Sequence, residues 1–182
     1  MFGENKKNLH KIYTDNCAKN NYEAIKLFNK KRINKIWIRP MGNTNCNTNK
    51  YHKNNKALKM KRSDIYNVLK KNKVSLYLEK KKLNQIEYFK KLKSYKYVIS
   101  PPGNGLDTHG TYEALMCGCI PIVPHSTLDP LLKDLPVILI NSWEEINDKL
   151  IEEKYNEIIN KNLNFEKIYF PYWEKQIKNK IL

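Results

Sequence analysis

Glu113 and His109 lie four residues apart in the segment THGTYEALM, residues 108–116, a spacing that sets both side chains on one face of a helix. A carboxylate one to two turns into such a helix can accept hydrogen bonds from both hydroxyls of a ribose. The plain alternative is a solvated glutamate favoured by the helix dipole. The position of Glu113 between Tyr112 and Ala114-Leu115, in a helix patterned to pack on a sheet, favours the site role. His109 can donate to a phosphate or leaving-group oxygen, or can be a partly exposed histidine at a helix start. Just upstream stand Gly103, Asn104 and Gly105. Glycine tolerates positive φ and leaves bare backbone that a phosphate can approach, and asparagine also tolerates left-handed conformations. Asp107 or Thr108 is the expected N-cap, so Thr108, His109, Gly110 and Thr111 open a helix whose free N–H groups and dipole suit a diphosphate. A tight strand-to-helix turn with no ligand explains the same glycines. The spacing G-x-G-x4-G of Gly103, Gly105 and Gly110 is not the dinucleotide fingerprint. Gly110 inside a first helical turn costs about 1 kcal/mol relative to Ala, so its reason is steric.

A second candidate is the Asn/Lys-rich loop 41–57, which follows the apolar run Asn34–Arg39. Asn43 and Thr44 there can offer backbone N–H groups and short polar side chains to a phosphate; a flexible low-complexity insert is the alternative. Cys17, Cys46, Cys117 and Cys119 have no disulfide-framework spacing. The pair Cys117/Cys119 near His109 and His125 lacks zinc-ligand spacing and reads as packed core, so no tightly bound metal is expected. Serine-hydrolase, H-E-x-x-H and Walker patterns are absent.

The elements that must position these residues alternate. Strands are predicted at 34–39, 74–78, 97–100, 120–123 and 137–140. Helices are predicted at 21–31, 61–71, 84–93, 108–116, 143–159 and 165–178, with a helical turn at 128–133. Such alternation argues a three-layer α/β domain with a parallel sheet, in which the strands ending near Ser100 and Val123 are neighbours. Residues 1–20 read as a polar, poorly ordered segment and residues 21–182 as one domain.

The formal net charge is +16 over 182 residues. Residues 1–100 carry 26 Lys+Arg against 6 Asp+Glu, and residues 101–182 carry 8 against 12. Arg32, Arg39 and Arg62 are the only arginines. An excess of lysine on solvated surfaces explains the charge, with binding of nucleic acid or another polyanion the rival; the scarcity of arginine argues against bidentate phosphate recognition. No run approaches the ~20 apolar residues of a membrane span, and the first 20 residues lack a signal-peptide core. A cytoplasmic protein is expected, with a secretory location only behind an N-terminal anchor.

The block Ser100-Pro101-Pro102-Gly103-Asn104-Gly105-Leu106-Asp107, followed by Glu113-Ala114-Leu115 and by Gly118-Cys119-Ile120-Pro121-Ile122-Val123, resembles the donor-binding half of exostosin-like glycosyltransferases, within the two-Rossmann-domain (GT-B) group. The likeness covers about a quarter of the chain and is faint before residue 73. It implies a Rossmann-like C-terminal GT-B half that binds a nucleotide-diphosphate sugar, a UDP-sugar, with Glu113 on the ribose. It further implies transfer to a glycan or glycoprotein acceptor, with the acceptor-binding domain on a separate segment or chain. Where the family carries an arginine that contacts the donor phosphate, this chain has Gly110. A rival expectation is a transferase-derived module, without catalysis, whose lysine-rich half binds a polyanion.

Overall fold

Five apolar runs form an all-parallel sheet. In this computed structural model, which describes residues 11–40 and 55–181, the strands are β1 (Ile33–Ile38), β2 (Leu76–Leu78), β3 (Tyr95–Ile99), β4 (Ile120–Pro124) and β5 (Ile138–Ile140). Their order is β2-β1-β3-β4-β5. Every residue of β4 is buried, as expected of a strand covered on both faces. The predicted neighbours are adjacent and parallel, with Tyr97 opposite Ile120 and Ile99 opposite Ile122.

Helices cover both faces. A helix over residues 11–16 (α1) is followed by α2 (Asn21–Phe28), α3 (Lys56–Lys59), α4 (Arg62–Lys71), α5 (Gln85–Ser94), α6 (His109–Met116), α7 (Asp129–Leu132), α8 (Asp148–Ile159) and α9 (Phe170–Ile181). The strand alternation divides the core. Ile36, Ile38, Ile99, Ile122 and Ile140 pack with Ile65 and Leu69 of α4 and Ile151 and Ile158 of α8. Trp37, Val98 and Cys119 pack on the other face with Phe89 and Leu92 of α5 and Ala114 of α6. This is the three-layer, Rossmann-like α/β architecture that the sequence predicts.

Two differences have local causes. The predicted helix 143–159 is broken: Trp143–Glu145 is a 3-10 turn, and Asn147 starts α8 by accepting the Leu150 N–H at 2.9 Å. Buried Trp143 anchors the turn, its Nε1 donating to Ala57 O at 3.0 Å. Residues 11–16, assigned from sequence to a poorly ordered segment, are helical, with Tyr13 edge-on to Phe89 at 5.2 Å between ring centroids. Among the described residues its partners come from α5 and α6, through Phe89 and Glu113.

α6 is held at both ends. The neighbouring α5 starts on a capping box of Asn84 and Glu87, and the start of α6 is tied to the end of β3 through Ser100 and Thr111. At the C-terminus of α6, Gly118 has φ +71°, Gly118 N–H donates to Leu115 O at 2.9 Å and Cys119 N–H to Ala114 O at 2.9 Å. That pair of bonds is the Schellman closure. A Cβ on Gly118 would stand 2.6 Å from backbone atoms of Leu27 and Phe28, so glycine is required for both the conformation and the space.

The strand order reverses direction between β1 and β3. In open parallel sheets ligands bind outside the carboxyl ends of the strands at such a switch point. The segments that leave that edge are the one starting at Arg39 and the one starting at Ser100.

Candidate functional site

The loop after β3 is tied to the first turn of α6 by three hydroxyls. Buried Ser100 Oγ lies 2.8 Å from Thr111 Oγ1 and 3.3 Å from Thr108 Oγ1, and the two threonine oxygens are 3.2 Å apart. Thr108 is the N-cap by backbone conformation, with φ −132°. Its side chain does not cap the helix, because the hydroxyl is spent on Ser100 and Thr111. The N-terminal turn of α6 therefore carries no side-chain cap; Thr111 N–H donates to Thr108 O at 3.1 Å, and the N–H groups of His109 and Gly110 are left without an intrahelical acceptor.

The glycines of the loop work by space and not by positive φ. Among the described residues Gly118 is the glycine with positive φ, and Gly103, Asn104 and Gly105 are not left-handed. Gly103 N–H donates to Gly105 O at 3.0 Å. A Cβ on Gly103 would come within 3.0 Å of Arg62 Nη2. Arg62 shapes the loop from α4, donating from Nε to Pro102 O at 2.7 Å and from Nη2 to Pro101 O at 3.3 Å. Asn104 and Gly105 are exposed, and a Cβ on Gly105 would find its nearest neighbour, Asp107 O, at 4.0 Å. The expected bare backbone is present there.

Gly110 is buried, and the room beside it is filled. A Cβ on Gly110 would lie 2.9 Å from Cζ and Nη1 of Arg39 and closer still to Nη2. The guanidinium of Arg39, from the end of β1, thus occupies the place of a side chain at position 110. Arg39 Nη1 donates to Tyr88 Oη at 3.0 Å, and Cζ lies 5.6 Å from the Tyr88 ring centroid. Tyr88, on α5, donates to Glu113 Oε2 at 2.8 Å. Tyr13, on α1, donates to Glu113 Oε1. Burial, reinforced by Glu113, pushes both phenols above their usual range, while Arg39 pulls Tyr88 back in part. Both phenols therefore remain protonated donors at neutral pH.

Of the expected site residues, the fold gathers Gly103, Asn104, Gly105, Thr108, Gly110, Thr111 and Glu113 around one loop and the helix turn that follows it. His109 is exposed at the helix start. Glu113 differs from the expectation of a carboxylate open to ligand, because each oxygen already takes one phenol proton; a carboxylate oxygen has a further lone-pair direction. Asn43 and Thr44 lie outside the described residues. Sequence reasoning missed Arg39, Arg62, Tyr88 and Tyr13. The signal was available for two of them: in a chain with 34 Lys+Arg of which three are arginine, an arginine position is informative in itself. Arg32, the third, donates to the backbone oxygens of Leu27, Leu92, Lys93 and Cys117 and is structural.

Other polar groups are arranged differently. His125 Nδ1 and Asp129 Oδ2 are 2.7 Å apart just beyond β4. Cys117 and Cys119 are buried, and burial pushes the Cys119 thiol up to about 12. Among the described residues no three His, Cys, Asp or Glu side chains are placed to hold a metal ion, and no helix is long and apolar enough to cross a membrane. Among the described residues, cavities of about 450 and 380 Å³ open at the amino ends of β1 and β3, beside Asn34, Lys96 and Tyr155. Lys96 Nζ there sits on the Tyr155 ring. A smaller cleft among the described residues lies at the carboxyl end, beside Pro102, Asp107, Thr111 and Ser126. The two edges differ in chemistry: the loop glycines, Arg39 and the uncapped end of α6 are all at the carboxyl edge, where donors can converge on an anion. No protein-family model matches the chain, and no curated protein matches it.

Proposed function

We propose that this chain is a nucleotide-diphosphate-binding domain of a glycosyltransferase, exostosin-like, whose donor is a UDP-sugar. The observation that carries it is the position of the Gly103–Gly105 loop and the uncapped start of α6 at the switch point of a parallel sheet, where backbone donors can meet a diphosphate. In this proposal the loop and helix turn hold the diphosphate. Glu113 receives ribose hydroxyls through its remaining lone pairs or in exchange for Tyr13. Electrostatic stabilisation of the departing nucleotide diphosphate drives transfer. The acceptor is a glycan or glycoprotein presented by a partner domain or chain.

Thermal melts with UDP and UDP-sugars test it. Ligand a hundredfold above its dissociation constant adds about 2.7 kcal/mol, a rise of several degrees for a domain of this size. No rise with any nucleoside diphosphate at millimolar concentration, together with steeply salt-dependent binding to polyanions, would replace this proposal with the polyanion-binding module.

A further inference from the structure

Resting on the nucleotide-diphosphate reading above, we propose that Arg39 supplies the guanidinium that takes the donor's phosphates, and that residue 110 is glycine in order to admit it. Arg39 leaves β1 at the carboxyl edge and turns its guanidinium onto the first turn of α6, where Gly110 gives it room. Its aim is set by a chain of oriented hydrogen bonds. Arg39 Nη1 donates to the Tyr88 oxygen, Tyr88 donates to Glu113, and Tyr13 donates to the other Glu113 oxygen. Every donor in that chain meets an acceptor, so the guanidinium is preorganised without being neutralised: its direct partner among the described residues is a neutral phenol, and the Glu113 carboxylate lies one link further along. A guanidinium has five N–H donors. Tyr88 is its hydrogen-bond partner among the described residues, and Arg39 is only half-buried. A planar fork held in this way suits two phosphate oxygens at once.

Direct binding of UDP and of uridine to the wild type, Arg39→Lys and Arg39→Ala, together with melts of Gly110→Ala and the double variant Arg39→Ala/Gly110→Ala, tests the proposal. UDP affinity is expected to fall about 10- to 100-fold in Arg39→Ala and less in Arg39→Lys, while uridine affinity stays the same in all three. Gly110→Ala is expected to push the Arg39 guanidinium aside, lowering UDP affinity and costing more melting temperature in the Arg39 protein than when Arg39 is alanine. If the wild type binds UDP and Arg39→Ala binds it equally well, or loses uridine affinity to the same extent, the assignment of Arg39 to the phosphates is overturned and the nucleotide reading stands. If the wild type binds no nucleoside diphosphate, both fall. If Gly110→Ala destabilises equally with and without Arg39, the reason given for the glycine is wrong.

Discussion

Glu113 shows how neighbours redefine a residue. As an exposed helical glutamate it could become alanine at no cost, since alanine is the better helix former. In the folded chain it is the common acceptor of two phenols, from α1 and α5. Removing it strands two partly buried O–H groups, each worth about 1–3 kcal/mol when left unpaired. Glu113→Ala is therefore expected to lower the melting temperature by several degrees even without ligand. Glu113→Gln should fall between, because its carbonyl oxygen keeps one phenol satisfied while its amide nitrogen faces the other. An unchanged melting curve for Glu113→Ala would mean that the two tyrosines do not depend on it. Any ligand experiment on this residue then needs the stability change as its baseline.

At the scale of elements, α6 is where the geometry of the site is decided. Its start is tied to β3 through Ser100, Thr108 and Thr111, and its end is closed by Gly118 at φ +71°. A non-glycine residue in this conformation costs about 1–2 kcal/mol. Here the added Cβ would also press on rigid backbone of Leu27 and Phe28 at 2.6 Å. Gly118→Ala is expected to cost more than about 2 kcal/mol and to lower the melting temperature by at least about 5 °C. Gly105→Ala, with open space around it, should leave the melting temperature within about 1 °C. Equal effects of the two substitutions would refute the distinction between a glycine needed by the fold and one that only leaves backbone open to a ligand.

At the scale of the whole molecule, sheet order turns a sequence asymmetry into a spatial one. β2, β1 and β3 come from the lysine-rich first hundred residues, and β4, β5 and α8 from the part in which acidic residues outnumber basic ones. The basic charge of β1, β2 and β3 and of α4 and α5, which connect them, is therefore gathered at one end of the strand order, where like charges repel. Salt screens such repulsion, with a Debye length of about 10 Å at 0.1 M. The melting temperature of the unliganded protein is expected to rise between low and moderate ionic strength; a fall would show that attractive pairs dominate the surface.

The sequence alone determined the architecture. Period and turn chemistry over residues 97–123 specify strand, loop, helix and strand, and the pairing of Tyr97 with Ile120 follows from short local connections. It also pointed to the loop 103–105 and to the helix that starts after Thr108, because glycine spacing and N-terminal patterning are local signals. It did not reveal that Gly110 accommodates Arg39, 71 positions earlier in the chain, or that Glu113 is shared by Tyr13 and Tyr88. Those contacts join α1, β1, α5 and α6, elements distant in sequence, and no local pattern encodes which side chains will meet. The helix described over 11–16 was hidden for the same reason, since its contacts with α5 and α6 are between elements distant in sequence. Tertiary structure decided these points because bringing β1 and β3 side by side is what places a guanidinium from one strand end against the helix that follows the other.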